Sequence, residues 1–119
     1  MIKMVNLLKR KPGMSQEEFI NYYESTHAKI GEKYLSRHAL NYVRRYLKPL
    51  PESIMPPPAE QPFDVVMEIW FRDQAALEAC FADLLSAEAQ AEITADENKL
   101  FDRNHMHFHL VEEHESKLG

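Results

Sequence analysis

"LLKRKPGMSQEEFINYYESTH", residues 7–27, is the stretch on which the fold turns. Its first residues finish an alternating run that begins at Met1, "MIKMVNLLKR", with the period of a strand. Pro12 and Gly13 then break the run as turn residues. Ser15 stands three places before Glu18, so its hydroxyl can cap a helix while the glutamate reaches back to the Ser15 amide. Phe19, Tyr22, Tyr23, Thr26, Ile30 and Tyr34 follow along one helical stripe. A strand, a tight turn and a capped helix thus occupy the first third of the chain.

The rest of the chain reads outward from this unit. "HALNYVRRYLKPL" is extended, with Leu40, Tyr42 and Arg44 on one side and Asn41, Val43 and Arg45 on the other. "PLPESIMPPPAEQP", residues 49–62, holds six of the seven prolines and has no periodicity, so it reads as a surface connection or lid. "FDVVMEIWF" is a dense run of strand formers. "DQAALEACFADLLSAEAQAEI" is helical, with Ala76, Leu77, Cys80, Phe81, Leu84 and Leu85 on its apolar side. "TADENKLFDRN" connects it to a last strand, "HMHFHLVEEH". The order β-α-β-β-α-β predicts an α+β, ferredoxin-like domain over residues 1–119: a four-stranded antiparallel sheet with two helices on one face. Helices cover one face only, yet Val66 and Trp70 lie opposite Val65, Met67 and Ile69. The uncovered apolar face implies a second copy, sheet against sheet.

Composition narrows the partners. The chain has 119 residues, enough for one core and too few for two. A net charge of -5 and only short basic stretches exclude the basic stripe of a nucleic-acid binder. Cys80 is the single cysteine, so no internal disulfide can form. There is no signal-peptide pattern after Met1 and no apolar run of membrane-spanning length. The expectation is a soluble cytoplasmic protein without membrane or nucleic-acid partners.

The opening block resembles the EthD-domain family of the dimeric α/β-barrel superfamily. The matching residues are Arg10, Lys11, Pro12, Gly13, Ser15, Phe19, the pair Tyr22 and Tyr23, and His27 on the helix. "FDVVMEIWF" looks like that family's third strand, and Asp96, Glu97 and Phe101 fit its Ala-Asp-Glu-x-x-x-Phe segment. Lys29 stands where the family often has proline, and the histidine-rich final strand is not a general family feature. The resemblance implies a homodimer with one apolar cavity per subunit and small aromatic or carbonyl-bearing substrates. It spans cofactor-free monooxygenation, isomerisation, cyclisation, dehydration and decarboxylation, among which fold does not choose.

His27 is the foremost candidate acid–base residue, because an imidazole in a cavity titrates near neutral pH. A histidine at the edge of an apolar stripe is otherwise a packing residue. Asp96 would orient His27 or take a proton itself; the alternative is an ordinary turn or cap. Glu68 interrupts an apolar strand and would have a raised pKa if it lined the cavity with Trp70. Tyr23, Tyr42, Trp70 and Phe101 are expected to line the substrate site, the tyrosines doubling as core aromatics.

In "RNHMHFHL", residues 103–110, His105, His107 and His109 alternate and share a strand face. Neighbours on that face lie roughly 7 Å apart and the outer pair about 13 Å apart, so a metal such as Zn²⁺ would need two of them plus an outside ligand, which His27, Glu68 or Asp96 could supply. The three read as a polar cavity wall with His107 meeting His27, and no metal or other cofactor is expected. The function these readings favour is a cofactor-independent lyase or isomerase working by proton transfer on a small hydrophobic substrate. A cofactor-free monooxygenase and a non-catalytic carrier of a hydrophobic ligand are the alternatives.

Overall fold

The computed structural model describes residues 1–57 and 60–119. β1 (Ile2–Arg10) leads through a turn at Gly13, whose φ of 86° suits glycine, into a continuous helical rod. The rod begins as α1 (Gln16–Tyr22), widens into a π-helical segment (Tyr23–His27) and continues as α2 (Ala28–Leu35). The expected capping box is formed: Glu18 N–H donates to Ser15 Oγ at 3.1 Å, and Ser15 N–H donates to Glu18 at 3.0 Å. β2 (Ala39–Tyr46) and β3 (Val65–Phe71) follow, then α3 (Gln74–Leu84), α4 (Ala87–Leu100) and β4 (Phe101–Leu110). Segment 49–62 joins β2 to β3 without helix or strand at its described positions; 58 and 59 lie outside them.

The sheet has the order β2-β3-β1-β4, and every pairing is antiparallel. With the helices on one side of it, this is the ferredoxin-like α+β architecture. Register assigns each residue to a face. Met4, Asn6 and Leu8 pair with Ile69, Met67 and Val65 on the helix side, and with Leu110, Phe108 and Met106 of β4. Phe19, Tyr23, Leu8, Val65, Leu100 and Phe101 make one core cluster. Met4, Leu35, Ile69, Phe71 and Cys80 make a second, further along the strands.

The second half of the helical layer departs from expectation. Residues 74–93 do not form one helix, because Ser86 caps a new one: its Oγ accepts from Ala89 N–H at 3.2 Å. α4 then runs through the "TADENKL" segment expected as a connection. Asp and Asn had marked it as a turn, yet it has no Gly or Pro and is rich in helix formers. Asp96 and Glu97 therefore sit on a helix, seven residues or more from its start.

Candidate active site

The π-helical segment positions the site. Ala28 N–H donates to Tyr23 carbonyl, five residues back, which widens the turn. Phe19, Tyr23 and His27, spaced by four, consequently stay on the core side, and all three are buried. The His27 ring is held edge-on by Tyr23 and by Phe101, each with its centroid 5.2 Å away and nearly perpendicular. α4 brings Asp96 to the same point. His27 Nδ1 lies 2.8 Å from Asp96 Oδ2, and Tyr22 hydroxyl donates to Asp96 Oδ1 at 2.5 Å.

These contacts fix the chemistry of the imidazole. A carboxylate only accepts, so the proton facing it belongs to His27 Nδ1. Nε2 is then the nitrogen left for a molecule in the cavity. Burial pushes His27 below its ordinary 6.5, with Asp96 pulling the other way. The neutral ring is therefore the resting form near pH 7. Burial, and secondarily the bond to Asp96, pushes Tyr22 up to about 12, which keeps it a donor.

His27 forms part of the wall of a cavity of about 500 Å³ between the helices and the sheet. Its apolar lining includes Met67, Ile69 and Phe71 from β3, Ile30 from α2 and Phe81 from α3. α4 presents Gln90, Ile93, Thr94 and Glu97 to it, the i, i+3, i+4, i+7 spacing of one helical face. Tyr42 completes a wall by lying against Gly31, where an added Cβ would sit 2.9 Å from the tyrosine ring.

Of the residues expected at the site, His27 and Tyr42 line this cavity, and Asp96 is buried against His27 Nδ1. Tyr23 and Phe101 are buried behind the imidazole and hold it, rather than lining the substrate space. Glu68, Trp70 and His107 lie on the opposite side of the sheet. Glu68 pairs with Val5, Trp70 with Lys3 and His107 with Leu7, all facing away from the helices. The expected meeting of His107 with His27 does not occur. The reason is the strand period itself: Phe108, one residue on, takes the helix side and lines the cavity. Glu68 instead accepts from Arg45 Nε and from Trp70 Nε1, both at 2.9 Å. Arg45 first, and Trp70 after burial's opposing push, hold its carboxyl below the usual range, the reverse of the expected rise. Among the described residues, no three His, Cys, Asp or Glu side chains converge as metal ligands. Glu97 and Arg103 also line the cavity and were not among the residues expected there. The helical spacing of 90, 93, 94 and 97 would have flagged Glu97 had α4 been recognised.

A ferredoxin-like domain with a buried His–Asp pair at the wall of an apolar cavity is the class of protein that fold and site define. The chain belongs to the EthD domain family, which matches residues 11–104. The fold is similar to that of an ethyl tert-butyl ether D (EthD) family protein from Bacillus halodurans, with a TM-score of 0.64 and 19% identity. That similarity covers 96% of this chain and all of the other. It is similar also to a protein from Arabidopsis thaliana (TM-score 0.63, 14% identity, 99% and 100% covered). A dimeric ferredoxin-like protein from an uncultured marine organism is a third relative in fold, with a TM-score of 0.53, 18% identity, and 93% and 92% covered. No curated protein sequence matches the chain. No helix among the described residues is long and apolar enough to cross a membrane.

Proposed function

We propose that this protein is an enzyme of lyase or isomerase type that moves protons on a small hydrophobic substrate, carbonyl-bearing or aromatic. His27 is the acid–base group and Asp96 positions it. The observation that carries this reading is the buried imidazole with one nitrogen committed to a carboxylate and its ring at the wall of an apolar cavity. Neutral Nε2 takes a proton from the substrate, and Asp96 stabilises the imidazolium that forms. Proton transfer of this kind asks only for the chain's own side chains. We infer further that two copies associate through the helix-free sheet face, where Val5, Leu7, Val43 and Val66 lie between Trp70 and His107. The dimeric relative supports association of two copies, and the choice of face rests on the apolar residues there.

The test is deuterium incorporation from D2O into a panel of hydrophobic ketones and enones, read by NMR. Wild-type protein should accelerate exchange at the carbon beside the carbonyl. His27→Ala should slow it by on the order of 10²–10⁴ while leaving the circular dichroism intact. Undiminished exchange in His27→Ala would overturn the assignment and leave the cavity as a binding site for a hydrophobic ligand.

A further inference from the structure

The cavity is polar at one end. Strand register gives its long axis. Its lining on β3 runs from Phe71 through Ile69 to Met67, four residues or roughly 13 Å. Phe71, with Phe81 and Leu84, marks the apolar end. The other end lies near Phe101, which pairs with Arg10 and packs on His27. Arg103, two residues past Phe101, lines the cavity there with Glu97. Arg103 Nη1 lies 3.2 Å from Glu97 Oε1. The Glu97 side chain is 16% exposed and that of Arg103 is 44% exposed, so the carboxyl is inside and the guanidinium is at the mouth.

Neither residue takes part in the His27–Asp96 pair. A guanidinium can hold a carboxylate through two parallel N–H bonds, and the closest approach here is Nη1 of the half-exposed Arg103 to Glu97 at 3.2 Å. Burial raises the Glu97 pKa, Arg103 opposes this and Asp96 adds to it. A carboxyl so placed holds a proton more readily than an exposed one, and once protonated it can donate to a second carboxylate. The titratable and charged groups around it are Arg103 from β4, His27 from the π-helical segment and Asp96 beside it on α4.

We propose that the cavity receives an amphipathic acid. Its carboxylate lies between Arg103 and Glu97, and its apolar body runs past Ile30, Met67 and Ile69 towards Phe71 and Phe81. The inference rests on the acid–base reading in one respect, which is that the carbons nearest the head group come beside His27. As the ligand's carboxylate takes the place of Glu97 on Arg103, Glu97 accepts one proton from solvent and donates it back as an O–H···O bond. No covalent step is involved.

Isothermal titration calorimetry with 4-phenylbutanoate and its isosteric amide, 4-phenylbutanamide, tests this at neutral pH in two buffers of different ionisation enthalpy. The carboxylate should bind about tenfold tighter than the amide, the scale of a hydrogen bond to a charged group. Its binding should take up about one proton. Glu97→Gln should keep the preference and abolish the proton uptake, Arg103→Met should erase the preference, and His27→Ala should keep both. Equal affinity of the two probes in wild type, or a preference that survives Arg103→Met, overturns the inference. A preference lost in His27→Ala overturns it too, because the head group would then sit on the imidazole. If the amide binds equally well and shifts the His27 ring resonances, only this inference fails and the acid–base reading stands. No binding of either probe overturns this inference and leaves the acid–base reading to the exchange test.

Discussion

His27 is held on three sides, by Asp96, Tyr23 and Phe101, and each contact has a measurable consequence. Asp96→Asn replaces an acceptor with a group that can also donate to Nδ1. The ring proton then moves to Nε2, where it blocks proton abstraction. Exchange activity should fall by on the order of 10²–10⁴, with the fold retained. Parity with wild type would show that Asp96 does not set the tautomer. The shifted pKa values also act on stability, with opposite signs. His27 titrates below its unfolded value, so its contribution is present above pH 6.5 and is lost as pH falls through its folded pKa. Glu97 titrates above its unfolded value, so its contribution is present below 4.5 and is lost as pH rises through its folded pKa. His27→Gln should therefore narrow the difference in urea midpoint between about pH 5 and about pH 7.5. An unchanged difference would place the titrating group elsewhere. At this scale the sequence was informative where a motif named the residue. His27 and Asp96 are 69 positions apart, and only the resemblance to a family joined them. Arg103 had no such support, since an arginine beginning a strand looks like any solvated charge.

The elements were legible wherever periodicity was clean. β1, the capped first helix and β3 stand close to where alternation and capping placed them. Two features escaped. The π-helical segment leaves no signature in a stripe read at 3.6 residues per turn, and α4 was hidden by Asp and Asn, whose turn preference lost to the helix formers around them. The packing of the first helical rod on β2 depends on Gly31. A Cβ there would approach Tyr42 Cε2 and hydroxyl to 2.9 Å, and that ring is constrained by Arg44 stacked 4.7 Å away and by the Tyr23 hydroxyl at 3.3 Å. Gly31→Ala should cost about 1–3 kcal/mol, the range for overpacking. Tyr42→Phe removes one of the clashing atoms, so the double variant should be more stable than the sum of the single losses by about 0.5 kcal/mol or more. Strict additivity in chemical denaturation would mean the ring has room to move.

For the whole molecule, the period-2 argument separated the two faces of the sheet, but three of the residues expected at the cavity stand on the face away from it. Glu68 and Trp70 share a face, as alternation required, and His107 joins them there; it is the face the helices leave open. Which face of β4 meets the helices depends on its pairing with β1, a contact a hundred residues apart that local pattern does not encode. That open face should be a dimer interface. Light scattering should give twice the chain's mass at micromolar concentration, and Val66→Asp should yield a folded monomer. A Val66→Asp protein that still dimerises would move the interface off the sheet.

The claim on which the rest depends is that His27 is neutral, carries its proton on Nδ1 and presents a bare Nε2 to the cavity. Long-range ¹H–¹⁵N spectra of the histidine side chains, followed through a pH titration, read this directly and require no substrate. The expected result is a His27 ring with Nδ1 protonated at neutral pH, titrating below 6.5, and changed to the other tautomer in Asp96→Asn. A ring protonated on Nε2 in the wild type, or one that titrates above 6.5, would contradict it.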